Sequence, residues 1–141
     1  MFDAYDAPMI DAAATQTMHL AMPFTAKLGI EVMASTASSV RSRLAWHESL
    51  TTAGGIMHGG ALMALADANG GMCAFLNLPD GATTSTIEST TKFLRAVRSG
   101  WATAVSQPLH VGRRVIVVET ELTDDDNRLV AKITQSQIVL T

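Results

Sequence analysis

The chain has 141 residues, of which 10 are Lys or Arg and 13 are Asp or Glu, so its formal net charge is −3. This length suits a single domain, and a hydrophobic fraction of 48% with a charged fraction of 16% excludes a disordered chain. The acidic balance argues against a nucleic-acid partner, which requires a basic face, and no apolar run has the length of a membrane helix.

The N-terminus and the cysteine content indicate a compartment. Met1 to Asp6 is acidic and lacks the basic and then apolar pattern of a secretory signal. Cys73 is the single cysteine, so neither an internal disulfide nor a zinc ribbon is possible. We therefore expect a cytoplasmic protein with no metal and no membrane partner.

The chain begins with a predicted short helix followed by two strands. Apolar residues between Pro8 and Met22 recur at steps of three and four, which predicts an amphipathic helix that Pro23 ends. Residues 28–34 and 38–46 are predicted to be extended, and the second segment alternates like a half-buried strand.

A glycine-containing loop over residues 51–57 then leads into the predicted main helix over residues 58–76. This helix is rich in Ala, Leu and Met, which favour helices. It is apolar on nearly every side, so we expect the rest of the fold to enclose it.

The remainder of the chain predicts a sheet. Four segments look like strands and are separated by short turns: residues 83–94, 101–111, 115–123 and 129–140. Strands joined this closely are expected to form an antiparallel meander. One apolar helix and one antiparallel sheet cover each other when the sheet wraps the helix, which predicts an α+β fold.

Asp67 is the most informative candidate for chemistry. It is the only charge between His58 and Asp80, on a helix that is otherwise apolar. Because an unpaired buried carboxylate is costly, Asp67 is expected to be paired, to lie at an interface, or to be functional. The alternative is a carboxylate at the rim of the fold, bonded to a backbone group.

The sequence His58-Gly59-Gly60 opens the same helix. Glycines allow a ligand to approach the backbone, and the free N–H groups and positive dipole end there suit an oxyanion or a polarised carbonyl. The alternative is a loop that only turns the chain. The nine residues from His58 to Asp67 span about 13 Å of helix, so a two-fold dimer is needed to bring one copy's Asp67 beside the other copy's glycines.

A strand rich in hydroxyl groups follows the main helix. Strict alternation places three of them on one face (Thr84, Thr86, Thr90) and three on the other (Ser85, Ser89, Thr91). Such residues are mostly ordinary strand formers with solvated hydroxyls, and the functional alternative is that one of them bonds a nucleophilic water.

Two further features have an ordinary interpretation beside the functional one. Arg113 and Arg114 follow Gly112 in a turn, and paired guanidinium groups suit phosphate, but a solvated turn has the same pattern. Nothing in the sequence activates Cys73, which we interpret as a packed apolar residue.

Residues 55–67 resemble the G-x-x-H-G-G-x-x-x-x-x-x-D pattern of hotdog-fold acyl-CoA thioesterases of the phenylacetic-acid-degradation (PaaI-like) type. Two further blocks agree, at residues 90–95 and 110–114, so the resemblance covers roughly residues 24–140. It implies the hotdog fold, an antiparallel sheet wrapped around one long buried helix. We therefore expect an N-terminal helical segment over residues 1–23 and a single hotdog thioesterase domain over residues 24–141.

The resemblance also implies catalytic roles. Asp67 would attack the thioester carbonyl or deprotonate a water, and the Gly59 N–H would polarise the thioester oxygen. His58 would orient the loop or the substrate, and Thr86 falls where relatives place a hydroxyl near the attacking water. Relatives carry Asn, Gln or Asp six residues before the His, where this chain has Thr52 with a shorter reach.

Substrate binding follows from the same resemblance. Arg113 and Arg114, with Arg95, would face the phosphates of coenzyme A, and Gly60 would approach the same ligand. No cofactor is expected, because coenzyme A is part of the substrate.

The expected function is hydrolysis of an acyl-CoA thioester by a homodimer, assembled as a dimer of dimers with active sites at the subunit interface. One alternative is a non-catalytic acyl-CoA sensor. A hotdog hydratase or dehydratase is disfavoured, because nine residues place His58 and Asp67 on roughly opposite sides of a helix.

Overall fold

A computed structural model describes residues 9–141 of the chain. Its helices and strands are, in chain order, α1 (Ala12–Ala21), α2 (Pro23–Leu28), β1 (Glu31–Ser35), β2 (Val40–Ala45), α3 (Gly59–Phe75), β3 (Thr83–Phe93), β4 (Trp101–Val111), β5 (Val115–Thr123) and β6 (Leu129–Leu140). None of the helices in this part of the chain is long and apolar enough to cross a membrane.

The N-terminal region contains two helices where the sequence predicted one. The Asp11 side chain accepts a hydrogen bond from Ala14 N–H and caps α1, which ends at Ala21. Pro23 does not end helical structure altogether, because it occupies the first turn of α2, where a missing N–H costs nothing. Residues 1–8 of the expected N-terminal segment lie outside the described residues.

The strands form one six-stranded antiparallel sheet in the order β1-β2-β4-β5-β6-β3. The expected four-stranded meander is wrong at one connection, because β3 pairs with β6 and not with β4. After β3 the chain stays beside the start of β6, because the N–H groups of Leu94 and Arg95 both donate to Val130 O. Val97 is then buried near the start of α3. The strand β3 is thereby left at an edge of the sheet.

The sheet wraps around α3 and confirms the hotdog architecture that the resemblance implies. Leu62, Leu65 and Ala66 of α3 are buried against side chains from across the sheet, including Leu44, Leu122 and Ile133. Burial of this apolar area is the main favourable contribution to folding.

A buried polar cluster fixes the rotation of α3 about its axis. Asn69 donates to Val40 O at 2.9 Å and to Ser106 Oγ at 2.6 Å, and it accepts from Ser42 Oγ at 2.6 Å. Ser106 is also bonded to Thr120 at 2.6 Å, so this buried carboxamide has three partners from the sheet. With Asn69 facing β2 and β4, the side of α3 that carries Asp67 faces away from them.

The prediction that the fold encloses α3 on all sides is wrong for one stripe of the helix. Gly60, Met63, Asp67 and Phe75 are exposed, and their spacings of three, four and eight residues place them on a single helix face. Met63 is 40% exposed and Phe75 59% exposed, so the described chain leaves an apolar helix face uncovered around one carboxylate.

A bulge in β3 changes which hydroxyls share a face. The pairing with β6 shifts between Thr86 and Glu88, which reverses the alternation beyond that point. Phe93 therefore shares the α3 side of the strand with Thr84 and Thr86, whereas Thr90, predicted to lie with them, is exposed.

Candidate active site

Asp67 lies on the exposed stripe of α3, opposite the junction of β3 and β6. Its Oδ1 accepts two hydrogen bonds, from Thr86 Oγ1 at 2.7 Å and from Gln135 Nε2 at 3.2 Å. Within residues 9–141, Oδ2 accepts no hydrogen bond. The carboxylate is therefore held through one oxygen, and the other is free to take a proton or to attack a carbonyl carbon.

Thr86 joins Asp67 to a chain of hydrogen bonds that continues through Gln137 to Thr84. Gln137 Nε2 donates to Thr86 Oγ1 at 2.6 Å, and Thr84 Oγ1 lies 3.2 Å from Gln137 Oε1 and 2.8 Å from Ile138 O. The resemblance implied that Thr86 lies near the attacking water. In this structure its hydroxyl proton points at Asp67, so its visible role is to orient the carboxylate.

Gln135 and Gln137 are the site residues that the sequence analysis missed. Both amides are buried on β6, at positions that alternate with exposed or half-buried residues and follow Ile133 on the core face. Glutamine usually faces solvent, so two of them on the inward face of a strand are the signal that was available. A Cβ at position 70 would collide with Gln135 Oε1, so Gly70 makes room for this side chain.

The start of α3 has its own cap. His58 Nδ1 accepts from Gly60 N–H at 2.8 Å, so His58 shapes the loop and the Gly60 N–H is already bonded. Gly59 N–H donates to no acceptor among the described residues, and it is the free donor at the positive end of the helix.

A cavity of about 300 Å³ adjoins this free N–H. Gly59 lines it together with Thr52, Phe93 and Arg95, so the structure brings three of the predicted site residues to one place. The Phe93 ring packs closely over Gly59, where a Cβ would lie 3.1 Å from its Cζ.

Asp67 is not part of that cavity. Gly59 and Asp67 are eight residues apart in one helix, a distance of about 12 Å along its axis. One chain therefore does not place its own free N–H and its own carboxylate around the same carbonyl group.

The three predicted phosphate-binding arginines also do not meet within one chain. Arg113 and Arg114 are exposed in the turn before β5, where Val139 N–H donates to Arg114 O. Arg95 donates to Val130 O beyond the far end of β3, nine residues from Val139 along β6, or roughly 30 Å at about 3.3 Å per residue.

Cys73 is fully buried, and its burial raises the pKa of the thiol from 9.0 to about 11. Because the thiolate is the nucleophile, a thiol with such a pKa is unreactive near neutral pH. The structure agrees with its interpretation as a packed apolar residue.

Comparison with known proteins identifies the class. The sequence pattern of the Thioesterase superfamily matches residues 54–131, which include the start of α3, Asp67 and the strands β3 to β5. The chain belongs to this superfamily, and it is a thioester hydrolase of the hotdog fold.

Individual relatives agree with this assignment. The chain is 33% identical to the proofreading thioesterase EntH of Cronobacter sakazakii over 81% of this chain and 77% of that protein. The crystal structure of a thioesterase from Haemophilus influenzae superposes with a TM-score of 0.83 at 26% identity, covering 89% of this chain and 88% of that one. A phenylacetic acid degradation-related protein from Ralstonia eutropha gives a TM-score of 0.77 at 28% identity over 83% and 89% of the two chains, which confirms the resemblance to the PaaI-like type.

Proposed function

We propose that this protein hydrolyses acyl-CoA thioesters to the free acid and coenzyme A. The observation that carries the proposal is the Asp67 carboxylate, whose Oδ1 is held by Thr86 and Gln135 while Oδ2 accepts no hydrogen bond from residues 9–141. A thioester carbonyl accepts attack readily, so a fixed carboxylate and a donor to the developing oxyanion are sufficient machinery.

Two chemical routes are open to Asp67. In the first, Oδ2 takes a proton from a water whose oxygen bonds to the carbonyl carbon; the tetrahedral intermediate then expels the thiolate, which recovers that proton. In the second, Oδ2 itself bonds to the carbonyl carbon and expels the thiolate, and water then hydrolyses the resulting anhydride. Both routes need the oxyanion stabilised as the nucleophile adds to the carbonyl carbon, before the C–S bond breaks and the carbonyl group is restored.

We propose that Gly59 N–H of a second copy supplies this stabilisation in a homodimer, with dimers paired into tetramers. Within one chain the Gly59 N–H and Asp67 are about 12 Å apart along α3. The exposed stripe with Met63 and Phe75, and the unpaired edge of β3 with Ile87 57% exposed, are surfaces that a second copy would cover.

The coenzyme A moiety is assigned to the exposed arginines. Arg95 shares the cavity at the helix start with Gly59 and Thr52, while Arg113 and Arg114 present two adjacent guanidinium groups at the other end of the sheet. Guanidinium groups bind phosphate with paired hydrogen bonds, and phosphates are the charged part of coenzyme A.

The direct test is the substitution Asp67→Asn, which keeps the shape of the side chain and removes the base. Turnover of acyl-CoA, followed by release of free thiol, should fall by a factor of about 10² or more. Asp80→Asn, at an exposed carboxylate just beyond α3, is the matched control and should retain wild-type turnover. If Asp67→Asn hydrolyses the best acyl-CoA at the wild-type rate, the catalytic assignment is wrong.

A further inference from the structure

A second cavity lies on the other side of Asp67, between α1, α3 and the start of β3. Its volume is about 370 Å³. Asp67 and Thr86 stand at its edge, Met72 and Phe75 of α3 form one wall, and α1 forms another. We call this space the α1 cavity.

The α1 cavity is suited to an uncharged, apolar group. Among residues 9–141, Asp67 is the only charged residue that lines it, and none of the arginines assigned to coenzyme A does. The walls supplied by the helices are mainly methionine, alanine and phenylalanine side chains. Methionine adapts to irregular apolar shapes, so such walls fit alkyl and aryl groups better than phosphates.

The position of Asp67 determines which part of a thioester enters this space. The carboxylate has to reach the carbonyl carbon, which bears the sulfur on one side and the acyl substituent on the other. A volume near the lower end of the range of roughly 300–1,000 Å³ for ligand sites holds one small apolar group, and not a nucleotide as well.

The wall from α1 is a fixed part of the fold. The backbone of this helix is joined to β1 by a hydrogen bond from Asp11 N–H to Val32 O at 2.8 Å, and His19 Nε2 lies 2.7 Å from Ile30 O. Met18 is buried and its neighbours Ala21 and Met22 line the cavity. None of these three residues, of which Met22 directly follows α1, forms a hydrogen bond with Asp67, so they shape the cavity without belonging to the catalytic group.

We infer that the apolar acyl group of the substrate occupies the α1 cavity, and that the inner face of α1 limits the size of that group. This inference rests on the proposed thioester hydrolysis and adds to it the location and the chemical class of the acyl group.

The test narrows the cavity with Ala21→Phe and widens it with Met22→Ala. Ala13→Phe is the matched control, because Ala13 is exposed on α1 and does not line the cavity. For each protein, kcat/KM is measured with acetyl-, butanoyl-, octanoyl-, dodecanoyl- and benzoyl-CoA, so that linear and aromatic acyl groups are distinguished.

We expect Ala21→Phe to lower kcat/KM for the preferred larger acyl group by about tenfold or more, because one methylene in an apolar pocket already changes specificity about tenfold. Hydrolysis of acetyl-CoA should be retained, since the acetyl group is small enough for the narrowed cavity. Met22→Ala should move the preference toward larger groups, and Ala13→Phe should leave it unchanged. If all three variants keep the wild-type order of substrates, the inference is overturned.

A binding measurement separates this inference from the proposed function. Octanamide and benzamide are neutral analogues of the acyl group, and their affinity is measured by calorimetry. If the wild-type protein hydrolyses no acyl-CoA, the proposed function fails. The cavity assignment then stands when Ala21→Phe weakens amide binding and Ala13→Phe does not, and it fails when both variants bind like the wild type.

Discussion

Gln135 Nε2 lies 3.2 Å from Asp67 Oδ1, across the gap between β6 and the centre of α3. The amide is buried and approaches the helix at Gly70, where a side chain would leave no space for it. In this orientation the Gln135 amide nitrogen donates to the Asp67 carboxylate. If the amide were flipped, Gln135 Oε1 would lie against Asp67 Oδ1 and the two oxygens would repel. The charge of Asp67 therefore fixes the orientation of Gln135, and Gln135 in turn fixes the plane of Asp67.

The first prediction concerns this positioning residue. Gln135→Met keeps the length and the burial of the side chain but removes the donor to Asp67. A hydrogen bond to a charged group contributes about 1.5–3 kcal/mol, so kcat for acyl-CoA hydrolysis should fall about tenfold or more, with KM little changed. Steady-state kinetics measures both constants, with Gln107→Met at an exposed position of β4 as the control.

The melting temperature distinguishes positioning from a structural role. Gln135→Met loses the bond to Asp67, but it also removes the buried Oε1, which accepts no hydrogen bond within the described residues. The two effects oppose each other, so the melting temperature should change little. A variant with an unchanged or raised Tm and a lower kcat supports the positioning role. Wild-type kcat in Gln135→Met, with Tm also unchanged, would contradict it.

The helix and its single carboxylate could be predicted from the sequence because they contrast with their surroundings. Asp67 interrupts an apolar helix, and the glycines after His58 mark where that helix begins. Gln135 and Gln137 have no such contrast, because alternating polar residues in a strand ordinarily indicate the solvent side. Their spacing at steps of two residues from Ile133 was the available signal, and the packing of β6 against α3 shows that both amides point inward.

The order of the strands was harder to predict for a different reason. Turn length indicates that neighbouring strands are antiparallel, but it does not determine which two pair when a strand has two possible partners. The segment after Phe93 remains bonded to Val130 and then buries Val97, so β3 stays with β6 instead of folding back on β4. Likewise, no residue pattern in the sequence predicts the bulge between Thr86 and Glu88. Beyond it, each side chain of β3 lies on the opposite face of the sheet from the one that strict alternation predicts.

Cys73 gives a prediction about pH. Its pKa is raised to about 11 by burial, from 9.0, so a thiol-specific disulfide reagent should label the native protein slowly at pH 8 and the unfolded protein quickly. As the pH rises above 9, the thiol ionises first in the unfolded chain, so the free energy of unfolding should decrease toward pH 11. Denaturant titrations should show that Cys73→Ala lacks this part of the alkaline destabilisation, and fast labelling of native protein would refute the buried-thiol interpretation.

Arg113 and Arg114 are predicted to act on the nucleotide part of the substrate. Changing both to Ala removes charge-assisted hydrogen bonds to phosphate and should raise KM for acyl-CoA about tenfold. Turnover of the corresponding N-acetylcysteamine thioester, which has no phosphate, should be unaffected. Arg41→Ala, at another exposed arginine, is the control, and an equal loss on both kinds of substrate would count against phosphate binding.

Two substitutions at Gly59 distinguish the role of its N–H from the effect of adding a side chain at this position. Position 59 is the first residue of α3, where proline is well accepted, and His58 already has the extended backbone (φ −61°, ψ 136°) that proline requires before it. Gly59→Pro removes the N–H, whereas Gly59→Ala keeps it and adds the same Cβ beside Phe93. Loss of one oxyanion donor should lower kcat about 10²-fold in the proline variant relative to the alanine variant.

Mixing two inactive proteins tests whether the N–H and the carboxylate come from different copies. If each site combines Asp67 of one chain with Gly59 of another, a heterodimer of the Asp67→Asn and Gly59→Pro chains contains one site with both native residues. Random reassembly of equal amounts makes half of the dimers hetero, so about a quarter of the sites, and of the wild-type activity, should return. Activity is measured after the two chains are unfolded and refolded together, with each variant refolded alone as the control. If the mixture stays as inactive as its components while wild-type protein recovers its activity in the same procedure, the shared site is refuted.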